Sequence, residues 1–145
     1  MKQVFDPLRN EWVAATPEEV VRQTWIQRMT HELKFPKELL AVEKELKALP
    51  HLIEVKSLLP TRRIDLLSFM KKGDTVTPLV LIECKESALS QEALDQVLSY
   101  NHYVKAPYVA IVNQSEVRFR YQLSCRSCEI SRFPSYHELI EALHD

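Results

Sequence analysis

The segment LVLIECK, residues 79–85, constrains the fold more than any other part of the sequence. Its nearly continuous apolar run predicts a central strand covered on both faces, because a strand with one wet face would alternate apolar and polar residues. Residues 62–70, RRIDLLSFM, precede it across the turn-forming sequence KKGD. We therefore expect two antiparallel neighbouring strands joined by a hairpin turn. Glu83 lies at the end of the buried strand, where a charged side chain is costly unless it has a partner or a function.

Three segments carry the signals of a helix start. Thr16 and Glu19 form a capping-box pattern, and apolar residues follow at helical spacing, so we expect a helix over residues 17–33. Ser90 is the expected N-cap of an amphipathic helix in SQEALDQVLSYNHYV, and Ser135 is the expected N-cap of a last helix. Between these two helices, YVAIVN predicts a buried strand and SEVRFRYQLS predicts a strand with one wet face.

The segment FPKELLAVEKELK, residues 35–47, is ambiguous from its residues alone. Its Leu, Glu, Lys and Ala residues favour a helix, but Leu40, Val42 and Leu46 also fit the two-residue period of a strand. Propensity alone favours the helix, and the period leaves the strand open.

The length and composition indicate one globular domain over residues 1–145, with 46% hydrophobic and 27% charged residues. No apolar run approaches the roughly 18 residues of a membrane-spanning helix, and the first residues lack a secretory signal, so we expect a cytoplasmic protein without membrane contact. In that reducing compartment Cys84, Cys125 and Cys128 are expected to be free thiols. Residues 125–128 have the CxxC spacing of zinc ligands, but no second such pair completes a site.

A net charge of −1 provides no bulk attraction to polyphosphate, so any contact with nucleic acid requires a local basic patch. Such a patch can be assembled from arginines on two predicted strands. The candidates are Arg62, Arg63, Arg118 and Arg120. A solvated strand face explains the same residues equally well.

The predicted hairpin creates a candidate metal site. Residues two apart share a face of a strand, so Glu83 and Lys85 should project together, and the antiparallel partner strand should bring Asp65 beside Glu83. Carboxylate oxygens are the hard ligands that Mg²⁺ prefers, with Mn²⁺ as an alternative, and Lys85 would lie close by. A D…ExK pattern alone is weak, because these residues are common and usually solvated.

Six segments in the same order make the chain resemble the N-terminal nuclease domain of type I restriction enzyme R subunits, within the PD-(D/E)xK superfamily. They are PEEVVRQ, FPKELLAVEKELK, RRIDLL, VLIECKES, LDQVLSYN and APYVAIVN, and the resemblance covers about residues 16–122. It implies an α/β fold with a restriction-endonuclease-like core: a helix, a mixed sheet with a three-strand meander, a crossover helix, further strands and a C-terminal helix. It also makes LLAVEKELK the first strand.

The same resemblance implies roles for individual residues. Asp65 and Glu83 would hold the metal ion, Lys85 would assist the attacking water, and Gln96 and Tyr100, four apart on one helix face, would support the site and DNA. From the residues alone, Tyr100 packing in the core is an equally natural role. The first helix would contribute an acid.

For that acid the segment PEEVVRQ suggests Glu19 as a further metal ligand, although Glu19 fits the capping box equally well. Glu43 can also point toward the site, but a solvated strand glutamate is the expected role. The chain departs from the family pattern over residues 48–61, where a longer insertion precedes Asp65. Such an insertion can alter access to the site.

The expected function is magnesium-dependent hydrolysis of DNA phosphodiester bonds. The chain has one glycine and no phosphate-binding G-x-x-x-x-G-K motif, so the expected partners are DNA and a protein that supplies motor or specificity functions. An alternative is a non-catalytic module that binds nucleic acid or protein and retains the nuclease fold. A plain structural protein is a third reading, supported by the near-zero net charge.

Overall fold

The computed structural model of the chain describes residues 2–45, 63–123 and 126–144. A mixed sheet of six strands, ordered β3-β4-β5-β6-β7-β8, forms its centre, and a separate two-stranded hairpin precedes it. The elements in chain order are β1 (Gln3–Asp6), β2 (Glu11–Ala14), α1 (Pro17–Gln27), β3 (Leu40–Glu45), β4 (Arg63–Lys72), β5 (Thr75–Cys84), α2 (Gln91–Val104), β6 (Tyr108–Val112), β7 (Val117–Leu123), β8 (Arg126–Ile130) and α3 (Tyr136–Leu143). The predicted α/β arrangement is confirmed.

Strands β4 and β5 form the predicted antiparallel hairpin. Leu66 pairs with Ile82 and Leu67 with Leu81, and Gly73 makes the connecting turn with a φ of 66°. That left-handed backbone conformation is open to glycine at no steric cost, which is why the chain uses its single glycine there.

Helix α2 crosses from β5 to the parallel strand β6, because parallel neighbours cannot be joined by a tight turn. Ser90 caps α2 as expected, and its side chain accepts the backbone N–H of Ala93 at 3.1 Å. One core lies between the sheet and helices α1 and α3, and a second lies between the sheet and α2. Strand β5 is therefore covered on both faces, as its apolar run predicts.

The ambiguous segment is a strand, β3, which pairs antiparallel with β4. Pairing with the sheet edge outweighs its helical propensity, which amounts to only a few tenths of a kcal/mol per residue. Glu43 has a φ of 50° and lies between two residues that pair with β4, Val42 with Leu66 and Lys44 with Ile64. The predicted insertion at residues 48–61 lies outside the described residues, as does Arg62.

Helix α1 ends at Gln27 and continues as a π-helical turn at Arg28–Glu32, so the predicted helix over residues 17–33 is confirmed in extent. Its capping box is only half formed. The Thr16 hydroxyl accepts the N–H of Glu19 at 3.2 Å, but the Thr16 N–H donates to the Ala14 carbonyl at 2.9 Å. The expectation that Glu19 completes the box is wrong, because its carboxylate binds elsewhere.

The C-terminal helix α3 begins at the predicted cap, with a complete capping box between Ser135 and Glu138. The hairpin β1–β2 and the strand β8 are additional elements that the sequence patterns did not indicate.

Cys84 and Cys128 are free thiols as expected, and Cys125 lies outside the described residues. Within the described ranges, no helix is long and apolar enough to cross a membrane.

Candidate metal centre

Three carboxylates meet where helix α1 begins and where the ends of β4 and β5 lie side by side. They belong to Glu18, Asp65 and Glu83, and one oxygen from each lies within 4.8 Å of the others. Asp65 is buried, Glu83 is half-buried and Glu18 is exposed, so the cluster opens toward solvent on the helix side. The antiparallel register of β4 and β5 brings the two strand residues together.

Asp65 is oriented by one backbone and one side-chain donor. The N–H of Cys84 donates to Oδ2 at 2.9 Å, and Nη2 of Arg22 donates to Oδ1 at 2.9 Å. Each carboxylate oxygen accepts more than one contact, so these two bonds fix the plane of the carboxylate and still leave acceptor capacity for a cation. Cys84 packs in the core below, which anchors its backbone.

Crowding of the carboxylates changes their protonation. Burial, followed by the charge of Asp65 and a hydrogen bond to it, raises the pKa of Glu83 to about 8. Partial desolvation and the Asp65 charge also raise the pKa of Glu18, and Lys85 opposes both shifts. In the metal-free protein at neutral pH, Glu83 therefore holds a proton that a divalent cation would displace.

Lys85 follows directly after β5 and lines an open cavity, and its charge acts on both Glu18 and Glu83. Its N–H donates to the Val112 carbonyl at 2.8 Å, which continues the pairing of β5 with β6. The cavity has a volume of about 510 Å³ and is bordered by the loop after β5 and the first turns of α2. Exposed Gln96 borders it together with Lys85, whereas Tyr100 is buried in the core beneath α2.

Glu19 lies outside this cluster and joins a network of arginines. Its Oε1 accepts Nη2 of Arg9 at 2.7 Å and Nη1 of Arg22 at 2.8 Å, and its Oε2 accepts Nε2 of Gln23 at 3.1 Å. The first-helix acid beside Asp65 is thus Glu18, one residue earlier than the predicted Glu19. Both acids lie in the first turn of α1, and the sequence alone did not separate them.

Burial of Arg22 requires carboxylate partners. Burial by itself lowers the pKa of its guanidinium, but Asp65, Glu19 and Glu43 more than offset that effect and raise it. The spacing of Glu19 and Arg22, three apart on one helix, was a signal for this pair. Arg9 comes from the N-terminal hairpin, and local spacing gave no signal for its contact.

The predicted DNA-contacting arginines lie at different places on the sheet. Arg63 is exposed at the start of β4, with Nη1 3.8 Å from Oε2 of Glu43. Arg118 on β7 pairs with Glu129 at 2.9 Å and donates to Oε1 of Gln91, at the start of α2, at 3.0 Å. Arg120 is half-buried on the same strand.

A mixed sheet covered by helices on both faces, with acidic side chains gathered at the ends of adjacent strands, places the chain among α/β domains with a nuclease-like fold. Its family follows from comparison with known proteins. The family model for the type I restriction enzyme R protein N terminus matches residues 17–134, and the chain belongs to this family. Neither the curated proteins nor the solved structures compared with the chain gave a match.

Proposed function

We propose that the chain is a metal-dependent nuclease domain that hydrolyses phosphodiester bonds in DNA, with Mg²⁺ or Mn²⁺ held by Glu18, Asp65 and Glu83. The observation that carries this proposal is the meeting of these carboxylates within 4.8 Å, beside Lys85, in a chain of a restriction enzyme family. Family membership also supports DNA as the substrate and a further protein subunit as partner.

The donor set fits a small divalent cation. Octahedral Mg²⁺ has ligand distances of about 2.0–2.1 Å, so its ligand oxygens lie about 3–4 Å apart. Three carboxylate oxygens within 4.8 Å of one another are close to this spacing. The raised pKa of Glu83 supports the same proposal, because burial and the charge of Asp65 both disfavour its ionised form, and a bound cation would offset both effects.

In the proposed reaction a water adds to phosphorus, the bond to one ester oxygen breaks, and a proton passes to the leaving alkoxide. When bound, the metal ion supplies Lewis acidity toward the phosphate. Asp65, fixed by Cys84 and Arg22, gives that ion a defined position. The Lys85 ammonium stabilises negative charge that develops on the phosphate and orients the attacking water. The cavity beside Lys85 has room for the DNA backbone.

A cleavage assay tests this function. The protein is incubated with linear, circular and single-stranded DNA in Mg²⁺, Mn²⁺ or EDTA, and Asp65→Ala and Lys85→Ala are compared with wild type. We expect metal-dependent cutting, and a loss of at least about 100-fold in both variants, because each removes charge stabilisation in the transition state.

Matched controls are Asp74→Ala and Lys72→Ala, which change the same residue types at the turn end of the β4–β5 hairpin, away from the carboxylates. They should cut like wild type. Cutting at the wild-type rate by both Asp65→Ala and Lys85→Ala would identify a contaminating nuclease and refute the catalytic proposal. DNA binding in EDTA that weakens steeply with salt, without cutting in any metal, would instead support the non-catalytic module.

A further inference from the structure

The turn of the N-terminal hairpin is built around one buried carboxylate. Asp6 is fully buried, and its Oδ1 accepts the N–H groups of Leu8 at 2.7 Å and Arg9 at 3.1 Å. Its Oδ2 accepts Nε of Arg9 at 2.6 Å. The turn therefore fixes both the backbone and the side chain of Arg9.

The remaining nitrogens of Arg9 reach helix α1, which also carries Glu18, and strand β3. Nη2 donates to Oε1 of Glu19 on α1 at 2.7 Å, and Nη1 donates to Oε2 of Glu43 on β3 at 3.3 Å. Arg22 contacts the same two carboxylates, at 2.8 Å and 3.3 Å. Each of the two guanidinium groups therefore contacts both carboxylates, and the four side chains form a closed ring of ion pairs.

Arg22 connects this arrangement to the metal centre, because its Nη2 donates a hydrogen bond to Oδ1 of Asp65 at 2.9 Å. Arg22 is almost fully buried, and its Nε has no hydrogen-bond partner in the described part of the chain. Its orientation is therefore set by the carboxylates that hold its two Nη groups. Because a guanidinium is planar, holding Nη1 against Glu19 and Glu43 also fixes the direction in which Nη2 points.

Charge balance gives the arrangement a second effect. Without basic partners, Glu19 and Glu43 would add two negative charges near the carboxylates of Glu18, Asp65 and Glu83. Arg9 and Arg22 neutralise them where they lie. The carboxylates of the metal centre then keep their attraction for a cation, while the surrounding acids contribute no further repulsion.

Arg9 lies outside the segment that the family model matches, which begins at residue 17. Residues 3–14 form the hairpin, and its turn delivers a positive charge to two acids that lie within the matched segment. The hairpin therefore precedes the matched segment in the sequence and contacts two acids within it.

We propose that Arg9 and Arg22 form a guanidinium clamp that positions Asp65 for metal binding, and that the N-terminal hairpin completes the nuclease site by supplying Arg9. This inference rests on the proposed function. Both arginines act as positioning residues, since they reach the metal ligand through hydrogen bonds and do not touch the reacting atoms.

The test measures Mn²⁺ affinity and cleavage separately, using the full chain and its Arg9→Met and Arg9→Lys variants. Free Mn²⁺ is followed by electron paramagnetic resonance, and kcat is measured at saturating Mn²⁺. We expect Arg9→Met to weaken Mn²⁺ binding about 10-fold or more, as is typical when a group that orients a metal ligand is removed. Arg9→Lys should weaken Mn²⁺ binding less than Arg9→Met does, because lysine keeps the positive charge. It should not restore full affinity, because an ammonium group lacks the planar set of N–H donors of a guanidinium.

Arg22→Lys is the second variant, because removing the whole Arg22 side chain would leave buried acids unpaired and endanger folding. Arg132→Met is the matched control, since Arg132 forms an exposed ion pair with Glu138 on α3. It should leave Mn²⁺ affinity and kcat unchanged, and thermal unfolding confirms that each variant is folded.

The outcomes separate this inference from the proposed function. Unchanged Mn²⁺ affinity and kcat in Arg9→Met, with or without a lower melting temperature, would refute the clamp and leave the metal centre intact. Wild-type protein that binds no Mn²⁺, or binds it equally well after Asp65→Asn, would refute the metal centre and the clamp together.

Discussion

Glu83 shows how the cost of burying a charge indicates a function. A carboxylate at the end of a covered strand, beside Asp65, is unfavourable to ionise. Burial and the Asp65 charge raise the pKa of Glu83 to about 8, so Glu83 is mostly protonated at neutral pH. A residue chosen for stability alone would not carry this cost. In the proposed metal centre a cation would remove this cost by replacing the proton, which would link metal binding to folding stability at this residue.

This linkage predicts a pH dependence. The pKa of Glu83 in the folded protein, about 8, exceeds its ordinary value of 4.5, so the folded state binds more protons between these values. In EDTA, the free energy of unfolding should therefore contain a contribution that falls as pH rises from about 4.5 to 8, by at most about 1.4 kcal/mol per pH unit. Urea unfolding at several pH values measures it.

The Glu83→Gln variant should lose this contribution, and Glu92→Gln, which alters an exposed glutamate of α2, should retain it. In wild type, the stabilisation by Mg²⁺ should grow over the same pH range, because each ion bound releases the proton of Glu83. Identical pH profiles for wild type and Glu83→Gln would contradict this prediction.

At the scale of elements, Asn113 joins three parts of the fold around the loop that follows β5. Its carbonyl accepts the indole N–H of Trp25 from α1 at 2.8 Å, its Nδ2 donates to the Ser87 carbonyl at 3.0 Å, and its Oδ1 accepts the N–H of Glu116 at 2.6 Å. Because Ser87 lies two residues after Lys85, this side chain helps to fix the loop that borders the cavity.

Replacing Asn113 with Ala should therefore affect both stability and activity. The loss of the buried amide leaves polar groups unpaired, at a cost of about 1–3 kcal/mol in the free energy of unfolding. Cleavage should fall about 10-fold or more as the loop loosens around Lys85. Urea unfolding and single-turnover cleavage measure the two effects.

Asn101→Ala provides the matched control. Asn101 is a similarly buried amide that exchanges two hydrogen bonds with the backbone of Ala106, at the end of α2 away from the cavity. It should cost comparable stability and leave the cleavage rate of the folded protein unchanged. Equal losses of activity in both variants would mean that Asn113 acts through stability alone.

Elements with a strong local signal were predictable. The run at β5 indicated a strand covered on both faces, and Ser90 and Ser135 indicated the starts of α2 and α3. Strand β3 was not predictable from its own residues, because contact with β4 decides its conformation against helical propensity. The hairpin β1–β2 has short strands, and an interaction with distant acids holds its turn.

The residues of the candidate site likewise fall into those that the sequence predicted and those that it did not. The meeting of Asp65 and Glu83 followed from the hairpin register, and Lys85 from the two-residue period of β5. The choice of Glu18 over Glu19 depends on which carboxylate the arginines occupy. Arg9 reaches Glu19 and Glu43 across 10 and 34 positions of sequence, and only the folded structure reveals such contacts.

At the scale of the whole molecule, the net charge of −1 means that DNA binding must depend on a few local cations. The candidates within the described ranges are Arg63 at the start of β4, Arg118 and Arg120 on β7, and Lys85 at the end of β5. Four phosphate contacts would release about four counterions, so the logarithm of the binding constant should fall with the logarithm of salt concentration with a slope of about −3 to −4.

Arg63 allows the sharpest test of this surface, because its side chain is largely exposed and its Nη1 lies 3.8 Å from Oε2 of Glu43, which is longer than a hydrogen bond. Arg63→Ala should weaken binding uniformly across DNA sequences and reduce the magnitude of the salt slope by about 1. Fluorescence anisotropy of a labelled duplex in EDTA, where no cutting is expected, measures this slope. Arg132→Ala, which removes an equally exposed arginine near α3, should leave it unchanged. An unaltered slope in Arg63→Ala would exclude the start of β4 from the DNA-binding surface, and the contacts would then have to come from Lys85 and the arginines of β7.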